Sequence, residues 1–134
     1  MTDLQTIEGI GPAFEEKLKA GGIDSCKKLL EVGGTKEGRT RICEDCGMDD
    51  ARVLKFVNHA DLMRVKGVGG EYSELLEAAG VDSVPELAQR NADNLHSKMT
   101  EINESKKLVR ALPNRDKVAD WIEQAKGLPR AVSH

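Results

Sequence analysis

The chain has 134 residues and a formal net charge of −3; 39% of it is hydrophobic, 32% is charged, and two Phe, one Tyr and one Trp are its whole aromatic complement. That length suits one compact domain or two small ones, and no apolar run approaches the roughly 18 residues of a membrane span. The acidic balance counts against a dedicated high-affinity DNA binder, which is usually basic.

Helix punctuation divides the chain. Pro12 suits a first helical turn, where its missing N–H has no intrahelical partner. Phe14, Leu18 and Gly21 then share a face, and Gly22 ends the helix. Ser25 caps a second helix carrying Leu29 and Leu30, which stops at Gly33-Gly34. Thr35 starts a third, through Ile42 to Gly47, with Gly38 weakening it. Asp49 caps a fourth, in which Val53, Phe56, Val57 and Ala60 form an apolar stripe, and a turn over Asp61–Val65 follows. Glu71–Ala79 reads as a fifth helix, and Ser83-Val84-Pro85-Glu86 as a capping box opening a sixth. Asn91 caps a helix through Leu95, Met99 and Ile102. Asn114 caps the last, with Val118, Trp121 and Ile122 inward and Gly127-Leu128-Pro129 ending it. β-branched alternation is absent, so no sheet is expected.

The elements recur. Gly9-Ile10-Gly11 and Gly67-Val68-Gly69 lie 58 positions apart, and the offset holds for Phe14 and Tyr72, Leu18 and Leu76, Gly22 and Gly80, and Asp24-Ser25 and Asp82-Ser83. It lengthens to 65 where Val53, Phe56, Val57 and Ala60 match Val118, Trp121, Ile122 and Ala125. All four aromatics fall into two equivalent pairs, which points to a duplication. The expected fold is all-α, with two tandem units, residues 1–64 and 65–134, packed into one compact helical domain.

Each Gly-hydrophobic-Gly turn precedes a helix. Glycine lets the backbone turn tightly and approach another surface, and the helix N-terminus presents free N–H groups and partial positive charge. Together they suit a phosphate or carboxylate, while Ile10 and Val68 can plug the turn into the core. Tight corners in a helical stack are the structural alternative. The turn, with its Gly-Ile-Asp-Ser or Gly-Val-Asp-Ser link to the next helix, resembles the helix-hairpin-helix motif over about residues 4–129. Ala60–Gly69, Leu87–Asn91 and Val118–Ile122 resemble the bacterial family named domain of unknown function 4332, which has paired hairpin units. The resemblance implies amide contacts to a DNA backbone phosphate without reading of sequence. The chain departs from DNA-binding hairpins where a Lys or Arg usually follows the second glycine: Pro12-Ala13 and Gly70-Glu71 stand there, with Glu15, Glu16 and Glu74 beyond.

The expected nucleic-acid contacts are Gly9, Ile10, Gly11 and Lys17 in the first unit, and Lys66, Gly67, Val68, Gly69, Lys106 and Lys107 in the second. Lys19 and Arg64 also lie near the hairpins. Lys98, Arg110, Arg115 and Lys117 extend the second basic stretch, and Lys36, Arg39 and Arg41 form a smaller counterpart in the first unit. Cys43-Glu44-Asp45-Cys46, with Cys26 and His59, could furnish a Cys3His zinc site, but no second Cys-x-x-Cys or His pair completes a recognised pattern, so ordinary thiols are expected. No metal, cofactor, catalytic residue, small-molecule substrate or membrane contact is expected, since His59, His96 and His134 lack a nucleophile motif and no acidic cluster stands out. The polar start Met1–Leu4 and the odd cysteine number point to the cytoplasm. Two partners stay open: DNA, held non-specifically through phosphates, or a protein docked on the helical stack.

Overall fold

The computed structural model describes residues 3–133; Met1, Thr2 and His134 lie outside it. Its described residues form no strand. They comprise a 3-10 turn, Leu4–Thr6, and eight α-helices: α1 Pro12–Ala20, α2 Cys26–Gly33, α3 Lys36–Cys46, α4 Asp50–Leu62, α5 Gly70–Ala78, α6 Val84–Ala88, α7 Ala92–Lys106 and α8 Arg115–Lys126. Six of these helices open on the expected capping side chains. Ser25, Thr35, Asp49, Ser83, Asn91 and Asn114 each accept the backbone N–H three residues on, at 2.7–3.3 Å. Each such cap stabilises its helix by about 1 kcal/mol.

Departures from the sequence pattern have local causes. Asp61 and Leu62, expected in a turn, are wholly buried and complete α4. The box at Ser83 forms by half, because Glu86 accepts from Arg90 Nε at 3.2 Å instead of reaching back. Gly38 is required: a Cβ there would collide with Val32 O, so the glycine that lowers helix propensity lets α3 lie against the end of α2.

The chain divides into two compact units. One contains the described residues up to Asp61 together with Ala131–Ser133; the other is Leu62–Arg130. In the first unit, α1 and α2 both pack on α3. The tail is fixed by Ser133 N–H donating to Gly34 O at 2.8 Å and by Arg39 Nη2 donating to Ser133 O at 2.7 Å. In the second, α5 packs on α7, and α6 and α7 pack on α8. Leu75, Leu76, Val81, Leu87, Leu95, Met99, Val118 and Trp121 form its continuous core.

The repeat is written in the backbone. Gly9 and Gly67 have φ of 96° and 97°, Gly22 and Gly80 have 89° and 94°, and Ser25 and Ser83 have −153° and −154°. Phe14 meets Phe56 with ring centroids 6.0 Å apart, and Tyr72 meets Trp121 at 5.3 Å. A Cβ at Gly9 would lie 3.2 Å from Phe56 Cε1, and one at Gly67 3.0 Å from Trp121 Nε1. Gly9→Ala and Gly67→Ala are therefore strained in both dihedral and contact. We expect each to destabilise its unit by about 1–3 kcal/mol. Denaturant unfolding monitored by the single tryptophan, Trp121, checks the second substitution directly, and far-UV circular dichroism checks the first.

Candidate functional site

The two Gly-x-Gly turns, called hairpins for brevity, share one construction. In the first, Ile10 N–H donates to Ile7 O at 3.1 Å and the side chain is 4% exposed, so Ile10 anchors the loop from within. Gly11 is extended at φ −94° and opens α1, whose first internal bond runs from Glu15 N–H to Gly11 O at 3.0 Å. In the second, Val68 N–H donates to Val65 O at 3.1 Å and its side chain is 5% exposed. Gly69 at φ −103° opens α5, where Ser73 N–H reaches Gly69 O at 2.9 Å. Neither Gly11 nor Gly69 supplies a side-chain cap, and a Cβ on either would meet open space. The N-termini of α1 and α5 thus lack a side-chain cap and begin beside a glycine with open space where a side chain would stand.

Around the first hairpin lies a shallow depression lined by Gly9, Phe14, Asp49, Ala51, Arg52, Lys55 and Phe56. Arg52 sits over the Phe14 ring, its Cζ 4.9 Å from the centroid, and Lys17 Nζ is 5.6 Å from the same centroid. Sequence reasoning missed Arg52 and Lys55, which reach the hairpin through α4. Their signal was position: Lys55 adjoins Phe56 and Arg52 lies one helical turn before it, and Phe56 is the aromatic that the repeat matches to Trp121. At the second hairpin Gln124 grips the backbone of Lys66, accepting its N–H at 2.9 Å and donating to its C=O at 3.2 Å. The 65-residue offset puts the wholly buried His59 at the matching place in the first unit.

Residues 8–128, nearly the whole chain, match the family described as domain of unknown function (DUF4332). The chain belongs to this family. No curated protein and no solved structure matches it.

The remaining basic residues of this DUF4332 chain divide by role. Lys106 and Lys107 are both exposed where α7 ends. Lys107 takes the left-handed conformation, φ 51° and ψ 49°, that Gly47 takes at the end of α3 with φ 66° and ψ 44°. Asn103 supports that corner, accepting Val109 N–H at 3.0 Å and donating to Val109 O at 3.2 Å. Arg64 is engaged structurally, donating to Pro129 O at 2.7 Å. Arg39, expected in an exposed basic group with Lys36 and Arg41, is instead buried against the tail. Arg115 pairs with Asp93 at 2.7 Å.

Cys26, Cys43, Cys46 and His59 are not drawn together; among the described residues no three His, Cys, Asp or Glu side chains gather as metal ligands. Cys26 donates to Asp3 O at 3.3 Å, Cys43 donates to Asp50 Oδ1 at 3.0 Å, and Cys46 packs against Gly21. Burial, reinforced by Asp3, pushes the Cys26 thiol up to about 11 from the usual 9.0; burial, reinforced by Asp50, does the same for Cys43. His96 Nε2 lies 3.0 Å from Pro113 O, and His134 is outside the described residues.

Two outcomes follow. Lys107→Gly removes a left-handed non-glycine residue and should stabilise the second unit by roughly 0.5–1 kcal/mol, measured by denaturant midpoint. The thiols hold their protons more tightly when folded, so their contribution to stability is complete below pH 9 and is lost as pH rises towards about 11. Alkylation at pH 8 should run about tenfold slower in the folded protein than in urea, because the smaller thiolate fraction outweighs the greater nucleophilicity of a more basic thiolate.

Proposed function

We propose that both units are helix-hairpin-helix modules and that the protein is a non-catalytic, sequence-independent nucleic-acid binder, holding backbone phosphates with the amides that open α1 and α5. One observation carries the reading. Six helices close their N-termini with a side chain of their own, while the two that follow the hairpins begin at glycine and do not. An uncapped N-terminus beside an open glycine suits an external oxyanion. Arg52, Lys55 and Lys17 add positive charge around the first hairpin, and Lys66, Lys106 and Lys107 are exposed in the second unit. Ile10 and Val68 hold the loops from within, while Gly9 and Gly67 provide the turn. A protein-docking scaffold would be favoured by an apolar groove, but Leu112, at 37% exposed, is the one large exposed hydrophobic side chain among the described residues.

Carboxylates limit the affinity. Glu8, Glu16, Glu71 and Glu74 lie close in sequence to the hairpins and repel a phosphate. Binding is expected in the micromolar range or weaker at physiological salt, with log K falling by about 0.9 per neutralised phosphate for each unit of log salt on duplex DNA. Fluorescence anisotropy with labelled duplexes of unrelated sequence tests this. Gly11→Asp and Gly69→Asp are the informative variants. Asp is a favoured N-cap, so each should leave stability within about 1 kcal/mol of the parent or raise it, while putting a carboxylate where the phosphate sits. The double variant should fold and lose binding, and Arg52→Glu should weaken the first site. A wild-type protein that shifts neither duplex nor single-stranded DNA at low salt would sink the nucleic-acid reading in favour of a protein partner.

A further inference from the structure

A guanidinium taken out of water needs compensation, most effectively by an anion. Arg39 is only 7% exposed. Its Nη1 donates to Gly33 O at 2.9 Å and its Nη2 to Ser133 O at 2.7 Å. Both acceptors are neutral carbonyls, and among the described residues no carboxylate forms an ion pair with it. These two bonds leave some of its N–H groups unused. The side chain borders a cleft of about 250 Å³ between α3 and α4, also lined by Lys36, Thr40, Asp50 and Leu54. Lys36 and Arg39 stand three residues apart on α3 and so share a face. Thr40 Oγ1 gives its proton to Lys36 O at 3.1 Å, which leaves the hydroxyl oxygen as an acceptor. Leu54 supplies an apolar wall.

We propose that this cleft binds a small organic anion, a carboxylate or phosphate monoester, with its charge on Arg39 and Lys36 and its carbon body on Leu54. The site is separate from the hairpins. A recessed guanidinium suits a small ligand better than a nucleic-acid backbone phosphate, which carries a sugar on each side. The cleft is smaller than a typical site for a drug-sized molecule, so the ligand is compact. Asp50, whose carboxylate accepts the Cys43 thiol, opposes the anion and holds the affinity down. That opposition yields a test in which two substitutions act in opposite directions.

The experiment is an amide and guanidinium NMR titration of the whole 15N-labelled chain with phenyl phosphate, and in parallel with inorganic phosphate. Phenyl phosphate should give saturable shifts at Arg39 Nε–H and at the Thr40 and Leu54 amides, with low-millimolar affinity or better, and should bind more tightly than inorganic phosphate. Lys36→Gln should weaken binding about tenfold and Asp50→Asn should tighten it by a similar factor, corresponding to one local charge interaction each. Both positions are exposed, so these variants avoid disturbing the tail that Arg39 holds. Absence of saturable shifts with phenyl phosphate, equal affinity for both probes, or affinities unmoved by the two substitutions would overturn the proposal. So would displacement of phenyl phosphate by a short oligonucleotide, which would assign the cleft to the nucleic-acid face.

Discussion

An aromatic ring packed under a glycine that no other residue comfortably replaces is the constraint on which each unit depends. Phe56 lies beneath Gly9 and Trp121 beneath Gly67, and both glycines have a positive φ near 96°. The ring fixes the distance of α4 or α8 from its hairpin. The glycine fixes the direction in which the chain leaves that contact, and the buried Ile10 or Val68 stops the loop from lifting away. The partly exposed Phe14 and Tyr72 then meet the same rings from the following helix, closing each arrangement. With so many constraints on one short loop, its conformation is already set before any ligand arrives. A ligand therefore meets little conformational cost in the loop itself.

What could be read in advance was local. Ser25, Thr35, Asp49, Ser83, Asn91 and Asn114 announced helix starts because an N-cap needs only a short polar side chain and the next three residues. The duplication was legible because four aromatics in a chain so poor in them cannot easily coincide by spacing. Contacts between distant segments were not legible. Arg52 and Lys55 join the hairpin only because α4 packs there, more than forty residues along the chain. Arg39 looked like one of three surface cations, but the chain returns 94 residues later to place Ser133 O against it. Gly38 looked like a weak point in a helix because the Val32 carbonyl that excludes a side chain belongs to the preceding element.

Counting basic residues therefore misstates what this protein can offer an anion. Arg64 holds a backbone carbonyl, Arg90 bonds both Glu86 and Ala79 O, and Arg115 faces Asp93. Their charge is directed largely inward or towards a carboxylate. Arg52 also has an acidic neighbour, Asp49 at 3.8 Å, but that exposed pair is weak and leaves the guanidinium spread over Phe14. An acidic protein can thus carry locally positive places, provided its charged side chains are sorted by packing.

The tail at Ala131–Ser133 has a consequence for how the protein comes into being. Because it belongs to the unit containing Gly34 and Arg39, the second unit is an insertion in the first, and the first is discontinuous in sequence. During synthesis the α2–α3 corner emerges early but cannot be completed until Ala131–Ser133, made after the whole second unit, leave the ribosome. The inserted unit contains every segment of its own core and can mature sooner. Long-range closure of this kind raises contact order and slows the last step of folding, reversing the usual sequence in which the N-terminal part of a chain is finished first.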